Sequence, residues 1–204
     1  MSISISYVNT GRQKQKERTR TVLVDAAREL LAQGITPTVE QAAEAASISR
    51  ATAYRYFPNR HELLVAAHPE VEITSLLGPD PPEDPLERLD AVVIGLSEII
   101  LGAEASYRSM LRMSLDPEPS TRGDLSLRQG RRFLWIEDAL EPVRGILTPR
   151  QFVRLVNAIA ASIGIEALIA LMDLGGLTPA ESVEVMRWSA QALFQKALTK
   201  ADGE

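Results

Sequence analysis

Four short stretches constrain this chain more than any bulk property: "TVEQ" (38–41), "DPLE" (84–87), "TPRQ" (148–151) and "TPAE" (178–181). Each puts Thr or Asp just ahead of a segment with helical apolar spacing. There a side-chain oxygen can accept a hydrogen bond from an N–H that the first helical turn leaves without a partner. In all four Gln or Glu follows three residues later, which in the three led by Thr is the pattern of a capping box, and in the last three Pro stands in the first turn. These are helix starts. Gly34 stops an apolar series of Val22, Leu23, Ala26, Ala27, Leu30 and Leu31, and "GPDPPEDP" (78–85) and "DPEPSTRGD" (116–124) break the chain again. No segment alternates with the two-residue period of a strand, so the expected fold class is all-α.

Composition narrows the function classes. With 45% hydrophobic and 24% charged residues the chain is expected to be globular. It has no Cys, which excludes disulfides, thiol catalysis and Cys-ligated zinc. Its two His, His61 and His68, stand near Glu62 and Glu70, too few ligands for a metal site, so neither metal nor cofactor is expected. No Gly-rich phosphate loop follows a strand and no acid–base pair stands in a marked context, so no enzyme is expected. The first 20 residues lack an apolar stretch and no later run is long enough to span a bilayer. A cytoplasmic location with no membrane partner follows as an expectation. The net charge of −5 hides an asymmetry: residues 1–60 carry nine Lys and Arg against five acids, leaving −9 for the rest. A basic N-terminal third on an acidic body suits a polyanion partner, and equally a solvated basic helix start.

The stretch 38–57 decides between those readings. A helix from Thr38 is interrupted at Ser47-Ile48-Ser49, and Ser49 can cap a second helix from Arg50. Two short helices joined by such a turn form a helix-turn-helix. Val39, Ala42, Ala43 and Ala46 make the inward face of the first helix, small enough for close crossing, with Ile48 under the turn. Ala53 and Phe57 point inward from the second helix. Arg50, Ala51, Tyr54 and Arg55 then face outward, with Thr52 and Tyr56 at the margins. Arg can bond guanine O6 and N7, and Tyr or Thr hydroxyls can donate to phosphate.

At this point "GITPTVEQAAEAASISRATAYRYFPNRHELL" (34–64) resembles the DNA-binding domain of the tetracycline-repressor (TetR) family of bacterial transcription regulators. The matching elements are Gly34, Thr38-Val39, Ala43, Ala46, Ser49, Thr52, Tyr54, Tyr56-Phe57, Asn59, Arg60 and Leu63-Leu64, and the likeness covers roughly residues 18–67. The resemblance implies phosphate contacts from the Thr38 and Thr52 hydroxyls and base-edge contacts from Arg50 and Ala51. It implies backbone or thymine-methyl contacts from Tyr54 and Tyr56, and a phosphate contact from Arg60, with Arg55 on the same DNA-facing surface. The resemblance also implies Arg12, Lys14 and Lys16 as an arm able to extend into a neighbouring minor groove. The chain departs at Ser47, where relatives carry Gly in a commonly left-handed turn position, at a cost of about 1 kcal/mol.

The implied organisation is a mobile basic arm (1–15), an N-terminal three-helix DNA-binding domain (16–74) and a C-terminal helical domain for effector binding and dimerisation (75–204). The helices after Thr148 and Thr178 resemble the family's dimerising pair, and Ile159, Ile163, Leu168, Leu171, Met186, Leu193 and Phe194 are the expected interface. The segment after Thr148 reads as one helix, nearly apolar all round from Val153 to Leu174, hence either a central core helix or a subunit interface. An effector pocket is implied within 85–147. Tyr107, Met110, Met113, Phe133 and Trp135 are its candidate walls, against the plainer reading of Phe133 and Trp135 as core and the Met as gap filling. The expected function is a repressor that binds a palindromic double-stranded operator as a homodimer and is released by a small-molecule effector. The alternative is an architectural or nucleoid DNA-binding factor without effector response.

Overall fold

A computed structural model describes residues 4–68, 73–115 and 130–201, and every regular element among them is a helix. In chain order these are α1 (Ser4–Ala32), α2 (Val39–Ala45), α3 (Arg50–Tyr56), α4 (Arg60–Ala67), α5 (Pro85–Gly102) and α6 (Glu104–Leu115). Then follow α7 (Arg131–Ala139), a 3-10 turn (Glu141–Val143), α8 (Pro149–Ser162), α9 (Ile165–Ile169), a π turn (Ala170–Leu174) and α10 (Pro179–Ala201). No single helix among the described residues is long and apolar enough to cross a membrane.

All four starts read from the sequence are formed. Thr38 and Gln41 make a reciprocal capping box, as do Thr148 and Gln151 and Thr178 and Glu181, while the Asp84 carboxylate accepts from Leu86 N–H at 2.9 Å. These bonds hold the Glu181 carboxyl below its usual range, the Thr178 hydroxyl contributing most. The chain divides into two compact units, Met1–Val71 with Arg108–Leu127, and Glu72–Tyr107 with Arg128–Glu204.

In the first unit α1 packs on α2 and α4, and α2 on α3. Leu23, Val24, Ala27 and Leu31 of α1, one face of a 3.6-residue period, are buried with Val39, Ala42, Ala43, Ala53, Phe57, Leu63 and Leu64. Burying an aliphatic side chain of this kind stabilises by about 1.5–3 kcal/mol, so this stripe fixes where α2 and α3 stand. The Arg28 Nε donates to the Ala67 carbonyl at 3.2 Å, tying α1 to the end of α4. The arm expected over 1–15 is helical from Ser4 on, because the α1 hydrogen-bond ladder continues through a sequence that holds no Pro and only Gly11. The side chain of Arg12 lies outside the described residues, as does that of Met113. Met110, expected in the effector pocket, is instead a buried member of this first unit's core, since residues from Arg108 on cluster here.

In the second unit α10 packs on both α5 and α8, and α7 packs on α5 and α8. Its buried side chains include Leu89, Val92, Val93, Leu96 and Ile100 of α5, Trp135 and Ile136 of α7, Phe152, Leu155, Val156 and Ile159 of α8, and Met186 and Phe194 of α10. Arginines fasten the joints. Arg187 of α10 makes a two-pronged pair with Asp90 of α5, both contacts 2.7 Å. Arg88 donates to the Asp138 and Ala139 carbonyls at the end of α7, where the helix dipole favours a cation. The single helix expected from Val153 to Leu174 is broken. Gly164 has φ +109°, open in practice only to glycine, and a Cβ there would lie 2.4 Å from Arg132 Nη1, which bonds the Ile163 carbonyl and Glu166. After the break at 116–124 the next described helix is α7, Arg131–Ala139.

Candidate nucleic-acid interface

The turn between α2 and α3 is closed by two backbone bonds, Ser47 N–H to the Glu44 carbonyl at 3.0 Å and Ile48 N–H to the Ala43 carbonyl at 2.8 Å. That pair is the Schellman pattern, and it requires a left-handed residue, which Ser47 supplies with φ +53°. The same pattern ends α1, with Gly34 at φ +76° in the left-handed place and Ile35 N–H on the Leu30 carbonyl. Ile48 turns inward and packs against the core, and Ser49 Oγ accepts from Thr52 N–H at 3.3 Å to start α3. The buried Ala53 and Phe57 hold α3 on the unit. The Arg20 guanidinium lies over the Phe57 ring, 5.4 Å from its centroid.

With that face inward, Arg50, Ala51, Tyr54 and Arg55 are exposed together, as the spacing predicts. The other expected contact residues stand differently. Thr52 is half-buried and shares its hydroxyl with Ser49 Oγ at 2.9 Å. Tyr56 is partly buried against the core. The Thr38 Oγ1 accepts from Gln41 N–H at 3.2 Å, and its hydroxyl donates to the Glu40 carboxylate. Arg60 points its Nε at the Pro37 carbonyl, 3.0 Å away, and an Nη at the Thr36 carbonyl. It therefore braces the loop that leads into the Thr38 cap. Arg112 from α6 reaches the same loop, its Nη2 3.3 Å from Thr36 Oγ1.

Sequence reasoning missed Glu40. The Tyr54 hydroxyl donates to Glu40 Oε1, joining α2 to the outward face of α3. That bond, with smaller contributions from a backbone hydrogen bond, the Thr38 hydroxyl and the Arg50 charge, holds the Glu40 carboxyl below its usual range, and the same bond to Glu40 raises the Tyr54 phenol above its own. The signal was only the acid's place at the second position of α2. Its pairing across 14 residues depends on the crossing of two helices, which no periodicity reports.

Of the residues expected at a dimer interface, Ile159, Ile163, Leu168, Met186 and Phe194 are buried within the single chain, while Leu171 and Leu193 are half-buried. The apolar surface that α8 and α10 leave open is Val153, Val185 and Trp188, the last 70% exposed. The apolar all-round sequence did not separate the face that a neighbouring helix covers from the one left outside. Among the candidate pocket residues Trp135 and Tyr107 are buried and Phe133 is half-buried.

Residues 23–67, from the first fully buried position of α1 to the end of α4, match the model of the family described as bacterial regulatory proteins, tetR family. No curated protein matches the chain. Residues 23–67, which carry this short exposed Arg- and Tyr-bearing helix, are thus a DNA-binding domain of the kind found in the tetR family of bacterial regulatory proteins, and the chain is a DNA-binding regulator of transcription.

Proposed function

We propose that the protein is a cytoplasmic repressor that binds a palindromic operator as a homodimer and leaves it when a small molecule binds the second unit. The observation that carries the reading is the outward face of α3. Seven residues at 1.5 Å rise make a helix roughly 10 Å long, a fit to a major groove about 12 Å wide. Such a helix reads only a few base pairs, so useful affinity calls for two of them related by a two-fold axis. Support for the second copy comes from Val153, Val185 and Trp188, whose exposure a matching copy would relieve. For the effector, Tyr107, Phe133 and Trp135 are the candidate walls. Ligand and operator then bias one two-state equilibrium in opposite directions.

The test is selection from random duplexes by the purified chain. Enrichment of a palindrome with half-sites about one helical turn or more apart supports the reading. Single half-sites, or no enrichment, would favour an architectural DNA-binding factor and remove the dimeric operator.

A further inference from the structure

Most polar groups near α3 are suited to meet an anion. Glu40 is not. It stands on α2, yet it takes the proton of the Tyr54 hydroxyl's hydrogen bond at the outward face of α3, and Arg50 is close enough to act on its charge. Tyr54 itself is exposed, and no hydrogen bond among the described residues holds Arg50 or Arg55. A carboxylate in this place has two effects on DNA. It repels phosphates whatever the sequence, and it competes with them for the Tyr54 proton and the Arg50 guanidinium. Only a base edge can compensate it, through an amino donor such as cytosine N4.

We propose that Glu40 is a specificity-determining residue of the reading face. Its carboxylate, held by the Tyr54 hydroxyl beside Arg50, weakens binding to DNA at large and is tolerated where an operator base offers it an amino group. The inference rests on α3 being the DNA-reading helix. A plainer role is available to Glu40, because an acid in the first turn of a helix favours the helix dipole. That role needs neither Tyr54 nor DNA, which makes the two separable.

Glu40→Gln is the informative change, since the amide oxygen still accepts from Tyr54 and only the charge is removed. The full chain and its Glu40→Gln and Tyr54→Phe variants are titrated, at fixed salt, against the selected operator and a random-sequence duplex of equal length. Removing one exposed charge at contact distance corresponds to about fivefold. Glu40→Gln is therefore expected to bind random DNA about fivefold tighter while operator binding stays level or weakens, so the operator-to-random ratio falls. Tyr54→Phe breaks the α2–α3 bond but keeps the carboxylate, and its binding to random DNA is expected to be no tighter than that of the unaltered chain. The proposal is overturned if Glu40→Gln changes neither duplex, changes both by one factor, or weakens random DNA. It is also overturned if Tyr54→Phe tightens random DNA as Glu40→Gln does, since the broken bond and not the charge would then be responsible. If the unaltered chain binds neither duplex, the failure lies with the DNA-reading helix itself.

Discussion

Replacing Ser47 by Gly should make the protein more stable, by an amount its two matching turns allow to be worked out. Ser47 and Gly34 occupy the same left-handed place in two turns closed by the same pair of backbone bonds. An L residue in that conformation gives up about 1–2 kcal/mol. Glycine returns part of the gain, roughly 0.5–1 kcal/mol, through the greater freedom of its unfolded chain. Ser47 is exposed and its hydroxyl has no hydrogen-bond partner among the described residues, so nothing else is lost. The balance is a gain of about 0.5–1 kcal/mol, or roughly 1–4 °C in Tm for a chain of this length. Gly34 supplies the reverse experiment. A Cβ built there meets nothing within 4 Å, so Gly34→Ser should lose a similar amount through backbone strain alone. Thermal and denaturant unfolding of both variants measure it. Loss of stability in Ser47→Gly, or Gly34→Ser as stable as the parent, would refute the reasoning that left-handed strain sits at the turn.

Three further changes test other parts of the account. Gly164→Ala puts a methyl into the Arg132 guanidinium at a φ that only glycine tolerates, and should cost about 1–3 kcal/mol in unfolding experiments; a neutral result would mean the α8–α9 break is not required. Trp188→Glu should yield a folded monomer by light scattering and circular dichroism. Leu168→Arg, which forces a charge into a site 1% exposed, should instead prevent folding, and a folded Leu168→Arg monomer would return the interface to the buried face. Arg60→Ala frees the Thr36 and Pro37 carbonyls, so it should lower stability by about 1 kcal/mol as well as weaken DNA binding; weaker binding with unchanged Tm would make Arg60 a phosphate contact only.

What the sequence revealed best were local, chemically marked events. Thr38, Ser49, Asp84, Thr148 and Thr178 each announce a helix because the cap bond lies within three residues, whereas the left-handed place of Ser47 came only from the family resemblance. The inward and outward faces of α3 followed from period alone, given Ala53 and Phe57 four apart. Events that depend on distant neighbours were illegible. The break at Gly164 hides inside a continuous apolar run, the commitment of Met110 to the first unit's core needs the path of α6, and the Tyr54–Glu40 bond needs the crossing of α2 and α3. Arg60 shows the same limit from the other side: its type suited a phosphate, but two loop carbonyls lie within its reach.

The central claim is that the exposed face of α3 reads base edges, and Arg50 tests it most directly. Affinities of the unaltered chain and Arg50→Ala are measured, at matched salt, for the selected operator and for a duplex with scrambled half-sites. The account predicts a loss of about 1–3 kcal/mol on the operator with little change on the scrambled duplex. An equal loss on both would make Arg50 a phosphate contact and contradict base reading by this helix.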